Sequence, residues 1–185
     1  MKRQRSEHQE TILRSVPIAA MILFAAIARI VPHPWDFAPI GAMALFSGAA
    51  IRNRVLAFVF PMLALLAGDL VVGFHILMPV VYASFLISIA IGFWLRERRS
   101  VPRMGGAVLL GAIQFFLITN LAVWMFLGTY PKTLAGLVAC YVAGLPFFWN
   151  TLAGDALYST ILFGTLYLAE RAYAVAIGTG RTERV

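Results

Sequence analysis

Eight polar or aromatic side chains are candidates for a ligand-binding site in this sequence. Carboxylates, imidazoles, amides and phenols hydrogen-bond small polar molecules, and aromatic rings stack on flat ones. Ionisable side chains are costly in apolar surroundings, so within such segments they usually face a cavity or a partner. The candidates are His33, Asp36, Asp69, His75, Tyr82, Asn120, Trp124 and Asp155. We expect these side chains to line one pocket.

Asp69 is the most informative of the eight. It lies in the apolar stretch LLAGDLVVGFH, toward the C-terminal end of the expected helix. The helix dipole disfavours a carboxylate at that end, so another group must stabilise it. That group is either a bound ligand or a structural partner such as Arg29 or Lys132, and protonation in apolar surroundings is a third possibility.

Asp155 has a structural explanation that we favour. It follows Asn150 and Thr151, which are N-cap residue types, and a carboxylate in the first turns of a helix complements the dipole. Asp155 and Tyr158 are three residues apart and share a helix face, so a contribution to the pocket remains open.

The loop PHPWDFAP contains three prolines, which fix the backbone around His33, Trp35 and Asp36. A stiff loop of this kind presents its polar side chains for recognition. His33 and His75 together with Asp69 are also a possible metal site, although their spacing gives only a weak signal.

The composition excludes a water-soluble protein. Of the 185 residues, 61% are hydrophobic and 12% are charged, and the mean hydropathy is +0.85. At roughly 20 residues for each transmembrane helix, the chain supplies about six spans and leaves no room for a soluble catalytic domain. The single cysteine, Cys140, excludes a disulfide within the chain and is of a type more often buried than reactive. No hydrolase or nucleotide-binding motif is present.

The distribution of basic residues decides between six and seven spans. The apolar segments cover about 16–31, 38–51, 55–74, 76–95, 104–127, 134–148 and 152–169. If 134–148 does not cross, thirteen of the fifteen Lys and Arg residues lie on the inner side, and only Arg29 and Lys132 lie outside. With seven spans, ten of these basic residues would lie on the inner side and five on the outer side. The positive-inside rule disfavours that distribution. We therefore expect an all-α membrane bundle of six transmembrane helices, with 134–148 as a short helix in the outer loop before the last span.

This topology predicts the domain organisation and the depth of the candidate residues. Residues 1–14 are expected to be a basic cytoplasmic leader, 15–170 a single membrane domain and 171–185 a cytoplasmic tail. All eight candidate residues then lie in the outer half of the membrane or in the outer loops. Gln114 is an exception near mid-span, about 120° around the helix from Asn120. Polar groups gathered on one side predict a pocket that opens outward, because a pore needs them through the full thickness.

Several motifs resemble an uncharacterised bacterial family of small integral membrane proteins, itself similar to the substrate-binding S components of energy-coupling factor (ECF) transporters. The motifs are PHPWDFAPIGAMALFSGA, GDLVVGFH, VYASF, TNLAVWM, YPKTLAGLVACY and LPFFWNTLAGD. The resemblance implies a six-helix bundle that captures a vitamin near its outer face. It also implies partners, namely a transmembrane coupling subunit with cytoplasmic ATPases. S components often carry an A-x-x-x-A surface on span one, where the nearest small pair here is Ser15 and Ala19.

The sequence therefore predicts a non-enzymatic binding protein for uptake of a vitamin or other small micronutrient, in the bacterial inner membrane with both termini cytoplasmic. Its expected partners are the lipid bilayer and a small-molecule ligand, without nucleic acid. A structural or assembly membrane protein is the main alternative, and a metal-assisted membrane enzyme is a weaker one.

Overall fold

The structure is a computed structural model that describes residues 37–182. This part of the chain folds into five α-helices and contains no β-strand. The helices are α1 (Ile40–Ala50), α2 (Arg54–Val72), α3 (Met78–Arg96), α4 (Val101–Phe126) and α5 (Leu134–Thr182). His33, Asp36, Arg29 and the apolar segment 16–31 lie outside the described residues.

Four of these five helices, α2 to α5, are long and apolar enough to cross a membrane. Their outward faces carry large apolar side chains, such as Leu63 at 56% and Leu110 at 50% exposure. Such surfaces are stable in lipid and unstable in water. The chain is therefore a multi-pass membrane protein.

The short helix α1 lies at the centre of the described bundle. It contacts α2, α3, α4 and α5, and these four contact one another only in chain order. Glycines allow α1 and α3 to approach closely, since a Cβ built on Gly48 would lie 2.9 Å from the Cα of Gly92. Small residues at helix contacts are the usual way to gain packing in a membrane, where the hydrophobic effect between helices is absent.

The prediction of a separate short helix over 134–148 is wrong. Those residues are the first part of α5, which continues through Pro146 to Thr182 over 49 residues. A proline removes one backbone hydrogen bond but is tolerated in transmembrane helices when neighbouring groups compensate. The polar residues Asn150, Thr151 and Asp155 do not break the helix either. No turn separates 134–148 from 152–169, so the two segments do not form two separate crossings.

Candidate ligand-binding site

The central helix α1 is too short to cross a bilayer. Its 11 residues extend about 16 Å, roughly half of the 30 Å hydrocarbon core. Nine of them, from Ile40 to Ala49, are buried. The N-terminal end of the helix therefore lies within the bundle, while its C-terminal end leads to the exposed Arg52. The free backbone N–H and C=O groups at the two ends need partners.

Asp155 of α5 supplies the partner at the N-terminal end of α1. Its Oδ1 accepts a hydrogen bond of 2.9 Å from the backbone N–H of Ala42, and the residue is only 3% exposed. The carboxylate lies against Gly41, where a built Cβ would be 2.6 Å from the Asp155 Cγ. Glycine is therefore required at position 41 for the carboxylate to reach the helix end.

The predicted role of Asp155 in its own helix is wrong. Because α5 begins at Leu134, residues Asn150 and Thr151 lie inside the helix and are not its N-cap. Asp155 instead complements the dipole of a different helix, α1. Its neighbour on the same face, Tyr158, packs its ring against Phe37 with centroids 6.1 Å apart.

Two arginines supply the partners at the C-terminal end of α1. The Arg96 guanidinium donates to the carbonyl oxygens of Gly48, Ile51 and Arg52, with Nη2 lying 2.8 Å from that of Gly48. Arg99 donates to the carbonyl of Ala49 at 3.1 Å. The helix thus has a carboxylate at its positive end and guanidinium groups at its negative end, which is the stabilising arrangement at both.

Asp69 and Tyr82 form a second polar contact, between α2 and α3. The Tyr82 hydroxyl donates to Asp69 Oδ2 at 2.8 Å, and Asp69 is 4% exposed. Lys132, one of the expected partners of Asp69, instead donates to the carbonyls of Trp124 and Leu127.

The alignment of α1 with α3 shows how deep Asp155 and Asp69 lie along the bundle axis. Gly48 lies against Gly92 and Arg96 reaches Ile51, so α1 and α3 run in the same direction. At this register Gly41 lies near the level of Phe85. Tyr82 is less than one turn farther from the arginine-rich end, about 5 Å. The two buried acids, Asp155 and Asp69, are therefore close in depth and lie near the end of α1 that points away from the arginines.

Asn120 and Trp124 belong to the contact between α4 and α5. Asn120 Nδ2 donates to the carbonyl of Phe116 at 2.9 Å, and a Cβ on Gly144 would lie 3.0 Å from Asn120 Cγ. Trp124 Nε1 donates to the carbonyl of Pro131 at 2.9 Å. The Asn120 bond lies within α4, and the Trp124 bond joins α4 to the connection before α5. The described contacts do not join either residue to Asp69 or Asp155.

His75 is exposed in the α2–α3 connection, where its carbonyl accepts from Met78. No group of three His, Cys, Asp or Glu side chains among residues 37–182 is arranged to hold a metal ion. Cys140 is 2% exposed, and its thiol donates to the carbonyl of Asn120 at 3.4 Å.

Sequence reasoning missed a polar contact between α3 and α4. Gln114 Nε2 lies 3.1 Å from the carbonyl oxygen of Ser84 and 3.0 Å from the Ser88 hydroxyl. Gln114 thus faces α3 while Asn120 faces α5, as their separation around the helix indicates. The sequence did contain a signal for this contact, namely a single glutamine in the middle of an apolar span. Such a side chain needs a hydrogen-bond partner on a neighbouring helix.

A family model matches residues 9–177, nearly the whole chain, and its description is a family of unknown function, DUF6580. The chain belongs to the DUF6580 family. No curated protein and no solved structure matches this DUF6580 chain. Two buried carboxylates and a tyrosine hydroxyl near one end of a buried half-length helix can accept hydrogen bonds from a small polar molecule.

Proposed function

We propose that this chain is a membrane-embedded binding protein for the uptake of a vitamin or similar small organic micronutrient. The pocket lies beyond the N-terminal end of α1, among the helices that surround it. One observation carries the proposal. Asp69 and Asp155 are the two buried charged residues in the described part of the chain, and both lie near that end of α1.

The half-length of α1 supports a pocket at this place. A full-length central helix would fill the bundle from one face to the other, whereas α1 begins near mid-depth. Ligand sites in transporters are commonly built near the midplane around interrupted helices, whose ends present unpaired backbone groups. In this chain Asp155 already occupies the end of α1, where it accepts from the Ala42 N–H, so the ligand interacts with the side chains around it.

The orientation follows from charge. The described arginines 52, 54, 96, 98, 99, 103 and 171 gather at one end of the bundle, and Lys132 lies at the other. The positive-inside rule makes the arginine-rich end cytoplasmic in a bacterial inner membrane. The pocket then opens toward the outside. An S-component-like architecture is part of the same proposal, with a coupling subunit and ATPases as the energy source. The six spans expected from the sequence are not part of it, because the segment 38–51 forms the short helix α1, which does not cross the bilayer by itself.

Tyr82 and Asp69 have the clearest role in recognition. Their hydrogen bond fixes the phenol against the carboxylate, and a carboxylate can accept several hydrogen bonds at once. A ligand with N–H or O–H donors shares this carboxylate with the groups that already contact it, in a low-dielectric site where a hydrogen bond is stronger than in water. Asp155 acts as a positioning residue, because it holds the end of α1 that forms the floor of the pocket.

A structural or assembly role is the second candidate. The contacts of Gln114 with α3 and of Tyr141 on α5 with the Leu117 carbonyl of α4 favour it, since these polar groups join helices without a ligand. In that case the hydrogen bond between Tyr82 and Asp69 is one more structural contact, which joins α3 to α2. Substitution there would then lower stability, with no ligand affinity to lose.

The experiment is native mass spectrometry of the full chain in detergent, followed by thermal-shift titration with a vitamin panel. Tyr82→Phe removes one hydroxyl from the proposed pocket, and Tyr141→Phe is its matched control. The Tyr141 hydroxyl donates to the Leu117 carbonyl at 2.8 Å, between α4 and α5.

We expect a copurifying small molecule or a thermal shift in wild type. Tyr82→Phe should weaken that binding by about tenfold, the effect of losing one well-placed hydrogen bond, and Tyr141→Phe should leave it unchanged. Absence of any bound molecule and of any shift across the panel would contradict uptake. Bound metal by elemental analysis would favour the enzyme alternative instead.

A further inference from the structure

The four long helices form an open arc around α1. Within residues 37–182, α2 contacts α3, α3 contacts α4 and α4 contacts α5, but α2 and α5 do not contact each other. The arc therefore has an opening between α2 and α5. Both of these helices contact α1, so the opening lies beside the central helix.

The short helix α1 is nevertheless buried on every side. Its five successive residues from Ala42 to Phe46 are at most 1% exposed. Successive residues of an α-helix point about 100° apart, so these five cover the whole circumference. The side of α1 that faces the opening is therefore covered by something other than a contact between α2 and α5.

The residues just before α1 lie on one border of this opening. Phe37 packs against Tyr158 of α5 with ring centroids 6.1 Å apart, and a Cβ built on Gly154 of α5 would lie 3.4 Å from the backbone nitrogen of Ala38. The apolar segment 16–31 ends six residues before Phe37. Six residues extend at most about 20 Å, so the end of the segment stays close to this part of the bundle.

The composition and length of the segment 16–31 suit a helix that covers the opening. Its 16 residues would extend about 24 Å as an α-helix, most of the hydrocarbon core. All of them are apolar except Arg29. Small residues allow close helix approach in a membrane, and the segment contains five alanines, at positions 19, 20, 25, 26 and 28.

Charge complementarity indicates the depth of the segment. A charged group within a membrane segment usually faces an opposite charge. Asp69 on α2 and Asp155 on α5 are the buried acids of the described part, and these two helices border the opening. Both acids lie away from the arginine-rich end. Arg29 also belongs at that depth, because the basic residues that precede the segment place its start on the cytoplasmic side.

We propose that the apolar segment 16–31 packs into the opening between α2 and α5, and that Arg29 pairs there with Asp69. The segment runs parallel to α2 and completes the bundle around α1. Asp69 keeps its hydrogen bond from Tyr82, because a carboxylate accepts several hydrogen bonds at once. This interface concerns the assembly of the chain and does not rest on the uptake function.

The first test is cysteine cross-linking of the full chain in native membranes. Cys140→Ala removes the natural thiol, and Ala64→Cys introduces one on α2. Ala64 is partly buried against the core, about 120° around α2 from Phe58, which packs on Phe93 of α3. It therefore lies on the side of α2 away from α3. Single cysteines are then placed in turn at positions 22–28 of the segment.

Mild oxidation should join Ala64→Cys to positions on one face of the segment, three or four residues apart. With Arg29 at the depth of Asp69, the strongest cross-link is expected near position 25, one turn deeper. Leu66→Cys is the matched control, because Leu66 lies at nearly the same depth on the opposite face of α2 and is 40% exposed. It should not cross-link.

Three results would overturn the docking of the segment. The first is the absence of a cross-link at every scanned position, which would leave lipid or a partner protein as the cover. The second is cross-linked dimers in place of cross-linked monomers, which would assign the opening to a second copy of the chain. The third is equal cross-linking of Leu66→Cys and Ala64→Cys, which would indicate random collisions.

The second test is a double-mutant cycle between Arg29→Gln and Asp69→Asn, read as the midpoint of thermal unfolding in detergent. Each single variant should lower the midpoint by a few degrees, and the double variant should lower it no further than the worse single one. Arg54→Gln, at an exposed arginine, should leave it unchanged. Additive losses would contradict the ion pair. If Arg29→Gln does not fold, Arg29→Lys keeps the charge and should fold, and its failure would also count against the pair.

Discussion

The carboxylate of Asp155 accepts a hydrogen bond from the backbone N–H of Ala42, a residue 113 positions earlier in the chain. This bond joins the last long helix to the buried end of the shortest one. At the other end of the short helix, Arg96 binds its carbonyl groups. A half-length helix is thereby fixed at both ends inside a membrane bundle, and the stability of that arrangement can be tested residue by residue.

Gly41→Ala is expected to destabilise the protein. The added methyl group would overlap the Asp155 carboxylate and force it away from Ala42. Overpacking of this kind costs about 1–3 kcal/mol. Thermal unfolding in detergent measures it, with Gly164→Ala as control because a Cβ there meets nothing within 4 Å. Equal midpoints for Gly41→Ala and wild type would show that the carboxylate does not need this close approach.

Asp155→Asn and Asp155→Leu are expected to differ. The amide oxygen of asparagine still accepts from Ala42, whereas leucine leaves that buried N–H without a partner, at a cost of about 1–3 kcal/mol. Thermal unfolding midpoints of the two variants, measured in the same detergent, distinguish the contribution of the hydrogen bond from that of the negative charge. If leucine is tolerated as well as asparagine, Asp155 does not support the end of α1.

Arg96→Gln is expected to loosen the other end of α1. The substitution removes charged donors from the carbonyls of Gly48, Ile51 and Arg52, and hydrogen bonds to charged groups contribute about 1.5–3 kcal/mol each. Arg54→Gln, at an exposed position, should change stability by no more than about 0.5 kcal/mol. Proteolysis of the connection between α1 and α2 provides a second readout, and an equal effect of the two variants would contradict the assigned role of Arg96.

Gly144→Ala and Asn120→Ala form a double-mutant cycle across the α4–α5 hairpin. A Cβ on Gly144 would crowd Asn120 and lie 2.9 Å from Phe116 Cε2, so Gly144→Ala alone should destabilise. Removing the Asn120 side chain should relieve part of that loss, giving a coupling energy of about 0.5–3 kcal/mol. Strict additivity of the two substitutions would mean that the side chains do not meet as described.

Much of the helical architecture could be predicted from the sequence, and the reasons are local. The apolar segments 55–74, 76–95 and 104–127 correspond to α2, α3 and α4 within a few residues, because arginines, prolines and glycines end each apolar run. The segment 38–51 corresponds to α1. Its central position could not be predicted, since that depends on which helices surround it.

The errors came from features that only tertiary contacts decide. Pro146 and the N-cap residue types Asn150 and Thr151 look like a helix boundary, yet α5 passes through all three. The same mistake gave Asp155 a cap role in its own helix. The contact of Asp69 with Tyr82 lies within the expected cluster. Its function in ligand binding, like that of His33, Asp36 and His75, stays a prediction.

The most direct test of an outward-facing pocket is site-specific thiol labelling in intact cells. The natural thiol is first removed by Cys140→Ala, and Tyr82→Cys then introduces one beside Asp69. A membrane-impermeant maleimide added from outside should label this variant, and the copurifying or panel-identified ligand should protect it. Ser88→Cys is the control, because Ser88 lies deeper on the same helix and is 2% exposed, so it should not react. Labelling at position 82 that occurs only from the cytoplasmic side, or not at all, would contradict a pocket that opens outward at this end of α1.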